Sequence, residues 1–208
     1  MSFIVTANGD ELVLRHPRPE QFGIFGIAWS LAQLNRFVGH AIRPYSVAEH
    51  SLLVVEIMER ETQADVHGLL AGLMHDAHEF ITNDVAGPAK EDIGPAWHAF
   101  EARWEKQVQV HYALLTANAV WRQVIKAADL RALATERRDL VHDAQLTEWP
   151  VLAGVEPVDW INLDTPERRA ADWEFWRDRF LDKYHELDYA RNALFSRTGS
   201  VSTAGTGN

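Results

Sequence analysis

Between Leu69 and Lys90 the chain reads LLAGLMHDAHEFITNDVAGPAK, an apolar run that closes on two histidines, three acids and a lysine. Val66, Leu69, Leu70, Leu73, Met74 and Ala77 recur at the 3.6-residue period, so the spacing predicts a helix from Val66 that ends at His75 and Asp76. Glu79, four beyond His75 and three beyond Asp76, falls angularly between them, and three polar groups then point in nearly one direction. His50 occupies the apolar stripe of Val47, Val54 and Ile57, and Asp129 sits four beyond Ile125 on the stripe of a later helix. Both therefore face the interior. Taken singly, His50 reads as a hydrogen-bonded core histidine and Asp129 as an acid paired with Lys126 or Arg131. Together with the His75-Asp76 pair they pose one shared difficulty, because a buried carboxylate is costly unless it is paired or bound to a cation. Two imidazole nitrogens and two carboxylate oxygens suit a divalent first-row ion, Mn2+, Co2+, Fe2+ or Zn2+, with Mg2+ also admissible, and leave room for water or substrate. His78 reads as a surface or outer-lying group, and His40, His98, His111, His142 and His185 have no comparable context.

The elements that must hold these residues are mostly helical. The run from Ile24 to Arg36 places Ile24, Ile27, Ala28, Leu31 and Leu34 on one stripe, with Trp29 and Arg36 sharing the opposite face. Ser46, followed three residues on by Glu49, reads as a capping box that opens the helix carrying His50. Trp121, Val124, Ile125, Ala128, Ala132 and Leu133 repeat the helical period around Asp129. Thr165 and Pro166 read as cap and first turn of a C-terminal helix with Trp173, Trp176, Phe180 and Leu187 along one side, a face for core or subunit packing. Ahead of all these, two β-prone runs in FIVTANGDELVLR flank Asn8-Gly9, a pair suited to the positive dihedrals of a tight hairpin turn. The expected class is all-α with a small N-terminal β-hairpin. The boundaries are a hairpin and linker over 1–22, one helical domain over 23–198, and a Ser/Thr/Gly-rich tail over 199–208.

Composition narrows the partners. With 208 residues, 47% of them hydrophobic, the chain can bury one core. Thirty acids against 20 bases, with no Lys/Arg run, argue against a duplex nucleic-acid scaffold. There is no cysteine, so a metal must be held by nitrogen and oxygen. MSFIVTANGD lacks a basic segment followed by an apolar run, and no stretch has 18 uninterrupted apolar residues, which predicts a cytoplasmic protein without a membrane span. Eight tryptophans raise the expectation of a homo-oligomer, a dimer or higher.

His50, then His75-Asp76, then Asp129 resemble the H…HD…D signature of the HD-domain metal-dependent phosphohydrolases, an all-α superfamily. HDAHEFITNDVAGPAK is similar to the HD…E…D…P.K pattern of the bacterial 5′-deoxynucleotidase branch, with Glu79, Asp84, Pro88 and Lys90 at matching offsets. LNRFVGHAIRPYSVAEHS resembles the segment before the first ligand in that branch and in phage dATP triphosphohydrolases, and KAADLRALATERRDL resembles the helix carrying the last ligand. The likeness covers roughly Ile24 to Val141, more loosely to Tyr184. It implies that the four ligands hold a divalent ion, that Glu79 orients or deprotonates the attacking water, and that Asp84 assists proton transfer to the leaving oxygen. Arg36 and Lys90 would neutralise phosphate charge, Phe37 would pack on sugar or base, and Trp29 is a second aromatic candidate. The lesser alternative for Arg36 and Lys90 is that of solvated surface cations.

The resemblance favours a 5′-deoxynucleotidase, which converts a deoxynucleoside monophosphate to deoxynucleoside and phosphate. The alternative is a dATP-type triphosphohydrolase that releases tripolyphosphate, and the further alternative is a non-catalytic nucleotide-binding sensor. Phe37 stands where the deoxynucleotidase has tryptophan, the His50 to His75 interval is short for that branch, and Arg43-Pro44-Tyr45 is closer to the phage-like group. Alarmone hydrolases carry a Glu-Asp pair after the HD helix, whereas Glu79 is followed by Phe80, and the Gly-Tyr-Pro motif of the cyclic-dinucleotide branch does not occur.

Overall fold

The N-terminal ribbon forms, on a different turn from the one expected. Strands β1 (Phe3–Val5) and β2 (Glu11–Val13) pair antiparallel, with Ile4 opposite Leu12. The chain reverses through Ala7, Asn8 and Gly9, and only Gly9, at φ +81°, takes a left-handed conformation. Gly9 N–H donates to Thr6 O at 2.9 Å, the pattern of a three-residue loop with a glycine bulge rather than a two-residue Asn-Gly turn. Leu12 is fully buried, so the ribbon is anchored in the helical core.

The rest of the computed structural model, which describes residues 3–15, 18–142 and 148–199, is helical. Side chains are described outside residues 19, 20 and 195–199. Of the tail expected from Gly199, residues 200–208 lie outside the described residues, and Gly199 itself closes the last helix. In chain order the helices are α1 (Ile24–Gln33), α2 (Val47–Glu61), α3 (Val66–Leu73), α4 (Glu79–Thr82), α5 (Gly87–Ile93), α6 (Pro95–His111), α7 (Leu115–Leu140), α8 (Pro166–Ala170) and α9 (Trp173–Gly199). Among the described residues no helix is long and apolar enough to cross a membrane.

Helix α2 lies at the centre. Its Val47, Ala48 and Val55 belong to one apolar cluster with Leu31, Leu73, Trp104 and Phe180, and its Leu53, Val54, Ile57 and Met58 to a second with Ala71, Ile125, Ala128 and Ala132. A helix buried on most sides is apolar on most sides, and His50, at the end of its first turn, is at 0% exposure. Helix α3 packs on α2, α7 and α9. It comes close because two of its residues have no side chain. A Cβ at Gly72 would lie 2.5 Å from Met58 Sδ on α2, and one at Gly68 would lie 2.8 Å from the Trp121 ring on α7. The ends of α3 are thereby fixed against the two helices that carry His50 and Asp129.

Three expected helix boundaries change, and one capping box is half-formed at its expected place, each for a local reason. Helix α1 stops at Gln33 because the following residues pair sideways: Val47 N–H donates to Leu34 O and Arg36 N–H to Tyr45 O. Arg36 therefore lies outside the helix and does not share a face with Trp29. Ser46 caps α2 by accepting from Glu49 N–H at 3.2 Å, but the return half of the capping box is missing because Arg43 and Arg168 take the Glu49 carboxylate. Helix α3 ends at Leu73, not at Asp76, and the chain continues to His78 in tighter turns with Ala77 N–H on Met74 O and Glu79 N–H on Asp76 O. Thr165 caps only the short α8, and Asp172, accepting from Phe175 N–H at 2.9 Å, starts α9 afresh.

Candidate metal centre

Two histidines reach the same point from different elements, each held by the nitrogen that faces away from it. On α2, His50 Nδ1 lies 2.5 Å from Glu136 Oε1. In the turn after α3, His75 Nδ1 lies 2.8 Å from Gly72 O, a carbonyl that can only accept. With both Nδ1 atoms engaged by acceptors, each Nε2 presents its lone pair when the ring is neutral, and the two face each other at 3.4 Å. Asp76 Oδ2 lies 3.1 Å from His75 Nε2 and 3.5 Å from His50 Nε2. Asp129 Oδ1, from α7, lies 3.4 Å from His50 Nε2, and its other oxygen accepts from Lys126 at 2.9 Å. One Asp129 oxygen thus pairs with Lys126, as expected of the acid taken singly, and the other faces His50, but Asp129 stands outside the close group formed by His50, His75 and Asp76.

Lone pairs and carboxylate charge aimed at one point need a positive charge there. Ligand atoms about 2.0–2.2 Å from a tetrahedral ion stand about 3.3–3.6 Å apart, and somewhat closer around an octahedral one. The observed separations, 3.1 to 3.5 Å, match that spacing. His50, His75 and Asp76 offer ligand atoms that all lie within 4.8 Å of one another, and this group can hold a metal ion. The local field has the same sign. Burial and Arg36 push the His50 imidazole down, but Glu136 and Asp129 outweigh them and raise it to about 9. Burial likewise works against Asp76, yet His75, His50 and Arg36 hold its carboxyl well below the usual range.

Glu136 was not picked out from the sequence. It is fully buried and accepts from Arg36 Nη2 at 3.1 Å and from the Tyr45 hydroxyl at 3.0 Å, besides holding His50. Its seven-residue spacing from Asp129 puts it on the same face of α7, a signal present in the sequence once Asp129 is assigned inward. Glu49 is a second omission. Arg43 grips its two oxygens at 2.7 and 2.9 Å, and Arg168 from α8 adds a contact at 2.6 Å. This network ties the N-terminal turn of α2, next to His50, to the C-terminal segment.

The other expected residues divide into those at the centre and those away from it. Arg36 is buried, spends Nε and Nη2 on Glu136, and keeps Nη1 3.8 Å from Asp76. Its charge also faces Asp84 and Glu79. Glu79 is 3% exposed with Oε2 unpartnered, and burial, then Asp76 and Asp84, push its carboxyl well above the usual range. Asp84 is raised in the same way, by burial and then by Asp76 against the opposing pull of Arg36. Lys90 is engaged with Glu101 at 2.5 Å. Glu101 also faces His78, which is buried rather than on the surface. Phe37 is half-buried with its ring 5.7 Å from the Arg36 guanidinium carbon. Trp29 goes elsewhere: from α1 its ring packs at 4.6 Å on Trp173 of α9 and at 5.6 Å on Phe25, while Arg36, beyond the end of α1, turns to Glu136. A cavity of about 280 Å³ floored by Leu52, Leu53 and Trp176 lies behind α2 and contains none of the four donors.

Two known proteins align with most of the chain. The uncharacterized protein YfdR of Escherichia coli K12 is 34% identical over 182 residues, 88% of this chain and 96% of that protein. An uncharacterized protein of Rhodobacter capsulatus is 31% identical over 155 residues, 73% of this chain and 79% of that protein. No family model matches the chain.

Proposed function

The chain belongs to the family of the uncharacterized Escherichia coli protein YfdR, and from that starting point we propose that it is a divalent-metal-dependent phosphohydrolase of deoxynucleotides, of the HD-domain kind. One observation carries the reading: His50, His75 and Asp76 bring three donor atoms within 4.8 Å of one another, Asp129 Oδ1 stands 3.4 Å from His50 Nε2 beside them, and both histidines are held by their far nitrogens. A divalent ion bound there, Mn2+, Co2+, Fe2+, Zn2+ or Mg2+, supplies Lewis-acid polarisation of a phosphoryl oxygen and a water acidic enough to attack near neutral pH.

The remaining steps belong to the side chains. Arg36 meets a phosphate oxygen with Nη1, its other nitrogens being anchored on Glu136. Lys90 adds charge from the side of Glu101. Glu79, with Oε2 unpartnered, takes the proton of the attacking water, and Asp84 delivers one to the 5′ oxygen as the bond from phosphorus to that oxygen breaks. The favoured substrate is a deoxynucleoside monophosphate, with phosphate and deoxynucleoside as products. Attack at the α-phosphorus of a triphosphate uses the same groups and releases tripolyphosphate. Action in the cytoplasm as a homo-oligomer is part of this reading.

The test is product analysis by ion-exchange chromatography. Metal-stripped protein is incubated with deoxynucleoside mono- and triphosphates, with and without Mn2+ or Co2+, beside Asp76→Ala. Metal-dependent phosphate from monophosphates is expected. Tripolyphosphate from triphosphates moves the reading to the alternative, and no product from either substrate with any metal, alongside nucleotide binding, overturns catalysis in favour of a sensor.

A further inference from the structure

We propose that Trp149, together with Phe37, is the platform on which the base of the nucleotide stacks, and that it selects for a flat ring rather than for one base; this rests on the phosphohydrolase reading. Two independent observations meet here. The first is backbone strain beside the metal centre. Phe37, Val38 and Gly39 follow Arg36 with φ of +56°, +54° and +77°. Glycine occupies the left-handed region freely, but a β-branched valine does so rarely and under strain. Val38 is 69% exposed, so no burial of its own side chain offsets that cost. The turn is held from both ends, by Gly39 N–H on Arg36 O and by Arg36 N–H on Tyr45 O.

The second observation is what the strained turn presents. The Phe37 ring lies 5.7 Å from the Arg36 guanidinium carbon on one side and 6.2 Å from the Trp149 ring on another. Arg137 of α7 then stands 5.4 Å from the Trp149 ring. Trp149 is placed from a different part of the chain: Leu152 N–H donates to its carbonyl, Leu152 is buried, and this turn packs on α7. A series Arg36, Phe37, Trp149, Arg137 thus runs outward from Asp76, whose contact with Arg36 marks its inner end. Both rings stay half-exposed. A phosphate on Arg36 carries its base one sugar away, and Phe37 beside Arg36, with Trp149 one ring beyond it, offers that base an aromatic surface. Stacking recognises the face of a ring and tolerates any base.

The experiment compares Trp149→Leu, Trp149→Phe and unaltered protein on the four deoxynucleoside monophosphates, dATP and 2-deoxyribose 5-phosphate, which has the phosphate and sugar but no base. Dissociation constants are measured by equilibrium dialysis with Mn2+ in a Glu79→Gln background, and phosphate release is followed in parallel with Glu79 intact. Trp149→Leu is expected to weaken all the nucleotides by about tenfold to a hundredfold, to leave 2-deoxyribose 5-phosphate unchanged, and to be largely rescued by phenylalanine. A uniform loss that includes the sugar phosphate, or no loss, overturns the platform. Trp149-dependent nucleotide binding without hydrolysis supports the platform and overturns the phosphohydrolase reading, whereas hydrolysis with nucleotide binding unchanged by Trp149→Leu overturns the platform alone.

Discussion

The metal-facing half of the centre and the half that would meet substrate are built differently. His50, Asp129 and Glu136 stand on α2 and α7, two long helices, and His75 and Asp76 on the turns that follow α3; each has a partner for a polar atom. Arg36, Phe37, Glu79 and Asp84 stand on turns or on a single helical turn, where Phe37, Val38 and Asn83 have positive φ and Glu79 Oε2 has no partner. The first half is a preorganised set of donors. The second is strained and underpartnered, as expected of groups whose partner is a ligand.

Substitutions can break this contrast in order of effect. Asp76→Ala removes a donor and is expected to abolish both metal binding and turnover; bound metal with unchanged activity sinks the assignment. Glu79→Gln belongs to the other half, so metal content measured by atomic absorption should stay while kcat falls by about 10²–10⁴-fold. If metal is lost instead, Glu79 is a donor and not the water's proton acceptor. Glu136→Ala strips His50 and Arg36 of one buried carboxylate. We expect metal affinity to fall about 10- to 100-fold and unfolding free energy by about 3–5 kcal/mol, read by metal titration and urea melts. Unchanged affinity would mean that His50 is oriented by packing alone.

Two smaller effects sharpen the same comparison. The His50 imidazole is raised to about 9 from an ordinary 6.5, so its contribution to stability is fully present below pH 6.5 and is lost as pH climbs through 9. Chelator-treated protein should therefore melt at lower temperature at pH 9 than at pH 6.5, and Mn2+ should flatten that slope, since the ion takes the place of the proton. Val38→Gly relieves a left-handed valine and should raise stability by about 1 kcal/mol without changing metal affinity. A destabilised Val38→Gly would show that the turn is not strained by its side chain.

The same division explains what could be read in advance. The inward helical stripes found His50 and Asp129 directly, because a polar residue interrupting an apolar period is visible in one dimension. Arg36 was named for the right neighbourhood on the wrong geometry: nothing in LNRF announces that Leu34 and Arg36 will pair with the Tyr45–Val47 segment instead of extending α1. His75, Asp76 and Glu79 were grouped by a 3.6 period that the chain abandons at Leu73 for tighter turns. Asp76 and Glu79 still share a side, because a three-residue spacing keeps side chains on one side in either winding. Glu136 and Trp149 were missed because their meaning lies in what other elements place against them.

Gly72 shows how narrow the room for change is. Its missing Cβ admits Met58, and its carbonyl engages His75 Nδ1. A methyl group there would push α3 off its neighbour and, in the same movement, swing a metal ligand. Mutational scans for thermostability and for metal retention should therefore score this position alike, although it has no side chain and touches no ion. Engineers who wish to stiffen the core would have to leave this hydrogen atom in place or redesign the centre with it.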